Sequence, residues 1–188
     1  AHVLDILNKT VKRGAPTVAA EAKRTMSGVF EHAVATLRAD TDPVWPVRKA
    51  LPPNKTQHKR ALSTEEVGQL LNDFDGHGGN FQTIKAFQLM WLTLSRPNES
   101  VQAEWAEFDL EKALWTIPAR RMKARREHII PLPTQAVELL KAMHPITGHT
   151  KFVFPNRDDR QRPMADAALR QALKKLGWAT KYSPHGTR

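Results

Sequence analysis

Cysteine is absent from these 188 residues. Disulfides, thiolate metal sites and a cysteine nucleophile are therefore excluded, and a reducing, cytoplasmic setting fits. No run approaches the roughly twenty consecutive apolar residues that a membrane span requires, and no basic helix carries a continuous apolar face. Neither crossing a membrane nor lying on one is expected, and the first residues do not read as a secretory signal. Carboxylates are outnumbered, with 19 Asp and Glu against 29 Lys and Arg, and they are scattered. Asp158 and Asp159 are flanked by Arg157 and Arg160, so the clustered carboxylates of two-metal phosphoryl transfer are missing. His144 and His149 have a zinc-compatible spacing but lack cysteines and a matching second pair, and they read as surface-loop histidines. No metal and no other cofactor is expected. Internal repeats and low-complexity tracts are also lacking.

What the chain has in excess is positive charge, a formal +10, which argues for a polyanionic partner, nucleic acid before any other. Its 40% apolar residues suffice for a packed core. The helical pattern is already under way at Val3, Leu4, Ile6 and Leu7 without an initiator Met, so the chain reads as a piece of a longer protein.

Apolar residues at Ala22, Met26, Val29, Phe30, Ala33 and Leu37 predict an amphipathic helix over 17–39. The stretch from Asp40 to Arg60 is too proline-broken for a helix and too polar for a core, and reads as linker. It separates a first domain from a second that begins just after it. Ser63 and Glu66 stand at capping-box spacing and open a helix through Leu71, which Gly76, Gly78 and Gly79 close. Ile84, Phe87, Trp91 and Leu94 mark a helix ending near Arg96, and Pro97 suits the first turn of another running to about Trp105. Leu114–Ile117 and His128–Ile130 are β-prone runs on either side of a basic hairpin turn. Further helices are predicted at 134–143 and 165–176, the latter stopped by Gly177.

Four residues carry the chemistry: Arg96 in RPNE, Lys123 in the hairpin, and His185 and Arg188 at the end. A phosphodiester undergoing transfer spreads negative charge over its equatorial oxygens. Without a metal it needs fixed donors, ideally arginine forks. Each element alone is weak. R-x-x-E is usually a surface ion pair, H-x-x-R occurs by chance, and a basic hairpin is most often a solvated turn.

Their order and context are more specific. Leu92–Leu110 (LTLSRPNESVQAEWAEFDL) resembles the first-arginine segment of the tyrosine site-specific recombinases, the phage-integrase family, in the type carried by genomic islands and satellite phages. Leu114–Leu132 (LWTIPARRMKARREHIIPL) resembles its lysine-bearing hairpin, and Ser183–Arg188 (SPHGTR) its histidine–arginine box. The resemblance implies that Arg96 and Arg188 clamp the scissile phosphate, that His185 hydrogen-bonds near it and assists proton transfer, and that Lys123 protonates the departing 5′ hydroxyl. Glu99 would orient the arginine segment. The family's tyrosine nucleophile lies downstream of the box, whereas the single tyrosine here, Tyr182, precedes it. The expectation is a chain that stops before its nucleophile, binds DNA and does not cut it alone. Leu94 stands where the family often has glycine, and Thr187 where it is often apolar.

The fold so implied is mainly α with a small antiparallel β-sheet: a partial helical core-binding domain, 1–51, a linker, 52–60, that crosses the DNA, then a C-terminally incomplete catalytic domain, 61–188, clamped on DNA. Lys55, Lys59 and Arg60 of the linker and Arg120, Arg121, Arg125 and Arg126 of the hairpin would meet backbone phosphates. The partners implied are double-stranded attachment-site DNA, three further copies in a tetramer on DNA, DNA-bending host factors and an excisionase, in a bacterial nucleoid. Two other readings stay open, an inactive DNA-binding or architectural protein and a type IB topoisomerase-like enzyme.

Overall fold

The computed structural model describes residues 2–51 and 61–187. The chain divides into two compact units, Ala1–His58 and Lys59–Arg188.

The first unit pairs α1 (His2–Lys12) with α2 (Pro16–Ala35). Pro16 begins α2 because its missing N–H falls where a helix has no partner for one. α2 ends four residues earlier than its apolar pattern suggests. Leu37 turns left-handed at φ 57°, its N–H donating to Val34 O while Arg38 N donates to Ala33 O at 2.8 Å, a Schellman closure with leucine in the usual glycine position. Of the apolar stripe, Ala22, Met26, Phe30 and Ala33 are partly buried while Val29 is 61% and Leu37 94% exposed, and among the described residues of this unit Leu7, Ala19 and Val44 are buried. The expectation that 40–51 is free linker also fails. Val44 is 1% exposed, Lys23 Nζ donates to Arg48 O, and a 3-10 turn at Trp45–Val47 lets the prolines sit where no helical N–H is needed.

In the second unit, α3 (Thr64–Asp75) has its capping box as the sequence indicates. Glu66 N donates to Ser63 Oγ at 3.3 Å and Ser63 N to Glu66 Oε2 at 3.0 Å. α4 (Phe81–Thr93) is capped by the Asn80 side chain, and α5 (Pro97–Val101) is a single turn, shorter than expected, because a 3-10 turn at Trp105–Glu107 leads the chain into the sheet. The sheet has three antiparallel strands in the order β1 (Phe108–Asp109), β2 (Leu114–Ile117) and β3 (His128–Pro131), with Trp115 opposite Ile130 and Ile117 opposite His128. β1 has only two residues, too short for a period-2 signal. At the β1–β2 turn the Lys112 backbone N–H, then its ammonium, holds the Asp109 carboxyl below its ordinary range. α6 (Thr134–Thr147) continues past Met143 and carries Pro145 in its last turn, and α7 (Ala167–Lys175) ends before Gly177 at φ 78°. The fold class is the one expected, helical with a small antiparallel sheet.

One core runs through this unit. Phe74 of α3 stacks on Phe87 of α4 with centroids 3.6 Å apart, and Trp115 and Ile117 of β2 lie fully buried with Leu140, Met143, Phe154 and Leu169. Behind α7, Trp178 donates to Asp73 at 2.8 Å, and Tyr182 stacks on Trp91 and meets Phe87 edge-on. The segment leading to His185 is thereby fastened to α3 and α4. Among the described residues no helix is long and apolar enough to cross a membrane.

Candidate functional site

Arg96 sits at the junction of α4 and α5. Leu94 closes α4 in the left-handed region, at φ 50° and ψ 28°, a conformation glycine adopts freely and leucine at a cost. Leu94 therefore holds a left-handed turn at some expense of stability. Leu94 is half exposed and gives up little packing, so Leu94→Gly should raise stability by about 0.5–1 kcal/mol, read from the denaturant midpoint. Below it, Thr93 Oγ1 donates to Ser95 Oγ at 2.9 Å and the hydroxyls of Ser95 and Ser100 meet at 2.5 Å, cross-bracing the turn.

Glu99, itself buried, grips Arg96 twice. Its Oε2 accepts the Arg96 backbone N–H at 2.8 Å, and its Oε1 accepts from Arg96 NH1 at 2.6 Å. This is the orienting role expected of Glu99. The Arg96 side chain remains 49% exposed, and its other guanidinium donors have no partner among the described residues. A guanidinium has five N–H donors, so a ligand oxygen pair can still be held by the outer fork.

The hairpin loop follows β2 through a 3-10 turn, Ala119–Arg121, and returns at Arg125, which adopts φ 52°. Lys123, Arg125 and Arg126 are exposed and unpaired among the described residues. Arg120 is exposed and pairs at 3.2 Å with Glu104, which also takes Lys151. Arg121 departs from the expectation of a phosphate-facing cation. Its side chain is 12% exposed, is paired with the buried carboxylate of Glu107, and donates from NH2 to the carbonyl of Glu99 at 2.9 Å. The guanidinium is thus turned inward, engaged by a carboxylate on one side and a carbonyl on the other.

Glu107 is the buried partner that sequence reasoning missed. It sits in an acidic surface-like run, AEFDLE, and nothing there signals that it accepts from both Trp115 Nε1, at 3.0 Å, and Arg121. His185 is exposed in a 3-10 turn, Pro184–Thr187. Arg188, Lys55, Lys59 and Arg60 lie outside the described residues. The structure brings the Lys123 hairpin onto the Arg96 helix through Arg121, and fastens the His185 turn to α4 through Tyr182. His144 meets the Trp105 ring edge-on and His149 lies 3.2 Å from Arg160; neither faces the other. Among the described residues no three His, Asp or Glu side chains form a metal-ligand set.

Residues 60–188 match the family described as Phage integrase family, and residues 1–50 match Phage integrase central domain. The chain belongs to the phage integrase family. This integrase-family chain is 31% identical to the integrase of Enterobacteria phage P4, over 96% of its own length and 44% of that relative's. It is 33% identical to prophage integrase IntZ of Escherichia coli K12, over 99% of its length and 46% of that relative's. It thus spans less than half of the curated relatives it matches. In fold it is similar to lambda integrase solved as a dimer bound to a COC′ core site, with a TM-score of 0.71 at 17% identity over 98% of this chain and 53% of that one. A Tn1549 transposon integrase in complex with circular intermediate DNA gives 0.70 at 14% identity, over 98% and 68%.

Proposed function

We propose that this chain is the central and catalytic part of a DNA integrase that binds attachment-site duplexes and, together with residues beyond Arg188, breaks and rejoins strands through a 3′-phosphotyrosine. The carrying observation is the junction at Arg121, which joins the lysine hairpin to the helix whose first residue is preceded by Arg96. In this reading Arg96 and Arg188 hold the non-bridging oxygens. A tyrosine oxygen beyond Arg188 attacks phosphorus as the P–O5′ bond breaks. Lys123 gives its proton to O5′, and His185 helps take the tyrosine proton. The phosphate diester energy is kept in the new P–O(Tyr) bond, so the reverse attack by a 5′ hydroxyl seals the strand without metal or cofactor.

Residues 1–51 serve as core-binding domain and 61–188 as catalytic domain. Lys55, Lys59 and Arg60 of the linker, with Arg120, Arg125 and Arg126, contact backbone phosphates. Support comes from relatives named integrases and from fold neighbours solved on DNA, one of them a lambda integrase tetramer bound to a Holliday junction. By the same likeness this protein assembles as a tetramer on DNA; DNA-bending host factors, an excisionase and a place in the bacterial nucleoid complete the proposal. Tyr182 is excluded as nucleophile in this reading because its ring is buried between Trp91 and Phe87.

The test is a nicked attachment-site duplex incubated with the 188-residue chain and with the protein extended beyond Arg188. A denaturant-resistant protein–DNA adduct is expected from the extended form alone. No adduct from it, with binding intact, would leave a DNA-binding module. An adduct from the 188-residue chain would return the nucleophile to Tyr182.

A further inference from the structure

Arg121 connects three elements that the sequence keeps apart. Its NH1 pairs with Glu107, whose Oε2 also accepts from Trp115 Nε1 of β2. Its NH2 donates to Glu99 O at 2.9 Å and reaches Asn98 O at 3.5 Å. Glu99 O needs this donor. In a longer helix Ala103 N would serve it, but α5 stops after one turn and Ala103 N bonds to Ser100 O instead. The guanidinium thus caps α5 from outside, on the residue whose carboxylate grips Arg96.

On its other side Arg121 leads directly to the acid. Met122 packs against the core, and Arg125 N donates to Met122 O at 2.9 Å, which closes the turn around Lys123. Glu107 is buried with its Oε1 lacking any partner among the described residues. A buried ion pair adds little net stability over an apolar alternative, so what such a pair contributes is geometry. Lysine could not replace it, because one ammonium cannot fork in plane between a carboxylate and a carbonyl.

Resting on the integrase reading above, we infer that Arg121, pinned by Glu107, is a positioning residue that holds the Lys123 loop in register with Arg96, so that proton donor and phosphate clamp meet one phosphodiester. It touches neither DNA nor the reacting atoms. Its loss displaces the acid, and displacements of about an ångström at a reacting centre cost roughly 10²-fold in rate.

A leaving group that needs no proton separates this role from a merely structural one. With sulfur in place of the bridging 5′ oxygen, the P–S bond breaks to a thiolate of conjugate-acid pKa near 8.5, which solvent can protonate afterwards. In the extended protein, Arg121→Ala should slow adduct formation roughly 10²-fold on ordinary nicked DNA and at most about tenfold on the sulfur-bridged duplex. Duplex affinity should stay within about twofold of wild type, because no phosphate contact is lost. Arg121→Lys, which keeps charge and stem, gives the same comparison if the alanine variant does not fold. Equal slowing on both substrates overturns the link to Lys123, and an unchanged rate on ordinary DNA overturns the role altogether. A fall in affinity matching the fall in rate would make Arg121 a DNA contact. A wild-type protein that forms no adduct with either duplex sinks the integrase reading itself, and the inference with it.

Discussion

Arg96→Ala in the extended protein should lower the rate of covalent adduct formation by about 10²–10³-fold, with duplex affinity falling less than about tenfold. The asymmetry follows from where the charge develops. Free duplex DNA offers many phosphates, and one lost cation among a net +10 chain is one contact among several. At the reacting phosphate, by contrast, negative charge spreads over equatorial oxygens only as the bond to the 5′ oxygen loosens. Glu99 already holds the Arg96 fork, and in the proposed reading that fork stabilises this state without reorganising. Arg96→Lys should recover little, since lysine keeps the backbone N–H to Glu99 but has no planar fork that can stay on Glu99 and pair two phosphate oxygens at once. Single-turnover rates beside competition binding decide it: a rate that falls only as far as affinity does would place Arg96 among ordinary backbone contacts.

The same junction shows how far residue types and spacing can be read. Ser63 and Glu66 stated their helix start in full, because a capping box is local chemistry between side chains three apart. Pro97 likewise announced α5. Leu94 fitted the apolar pattern of α4 although it stands in a slot where the family often has glycine, and the fold shows it as the left-handed residue that stops the helix. Asp40–Leu51 carried prolines and charges that count against a core. A single well-placed valine and a lysine reaching Arg48 O are enough to bind it to its unit, and neither has a sequence period. Arg121 is the sharpest case. In A-R-R-M-K-A-R-R it cannot be told from Arg120, Arg125 or Arg126, yet it alone is turned inward, because its partner Glu107 is fourteen residues away and across a strand. Long-range ion pairs leave no local signature, so composition gave the site's charge and left the division of labour among its arginines unreadable.

That division rests on Trp115, and Trp115→Ala should destabilise the second unit by about 3–5 kcal/mol. The ring is fully buried at the centre of the sheet, stacked on Phe108 with centroids 5.0 Å apart, and sits on the same inward face of β2 as Ile117. Truncation opens a cavity too large to collapse and also strips Glu107 of its indole donor, leaving a buried carboxylate that faces Arg121 and, at 3.4 Å, the Glu104 backbone N–H, with one oxygen already unpartnered. Trp115→Phe keeps most of the volume and removes the indole N–H, so it should cost about 1–3 kcal/mol. Trp45, an exposed tryptophan of the first unit that carries Arg48 over its ring, is the control and should change stability by at most about 0.5 kcal/mol on conversion to Ala. Denaturant midpoints at constant slope measure all three. If Trp115→Phe matched wild type, Glu107 would be held by Arg121 and the Glu104 backbone N–H, and the indole of β2 would have no part in fixing the lysine loop.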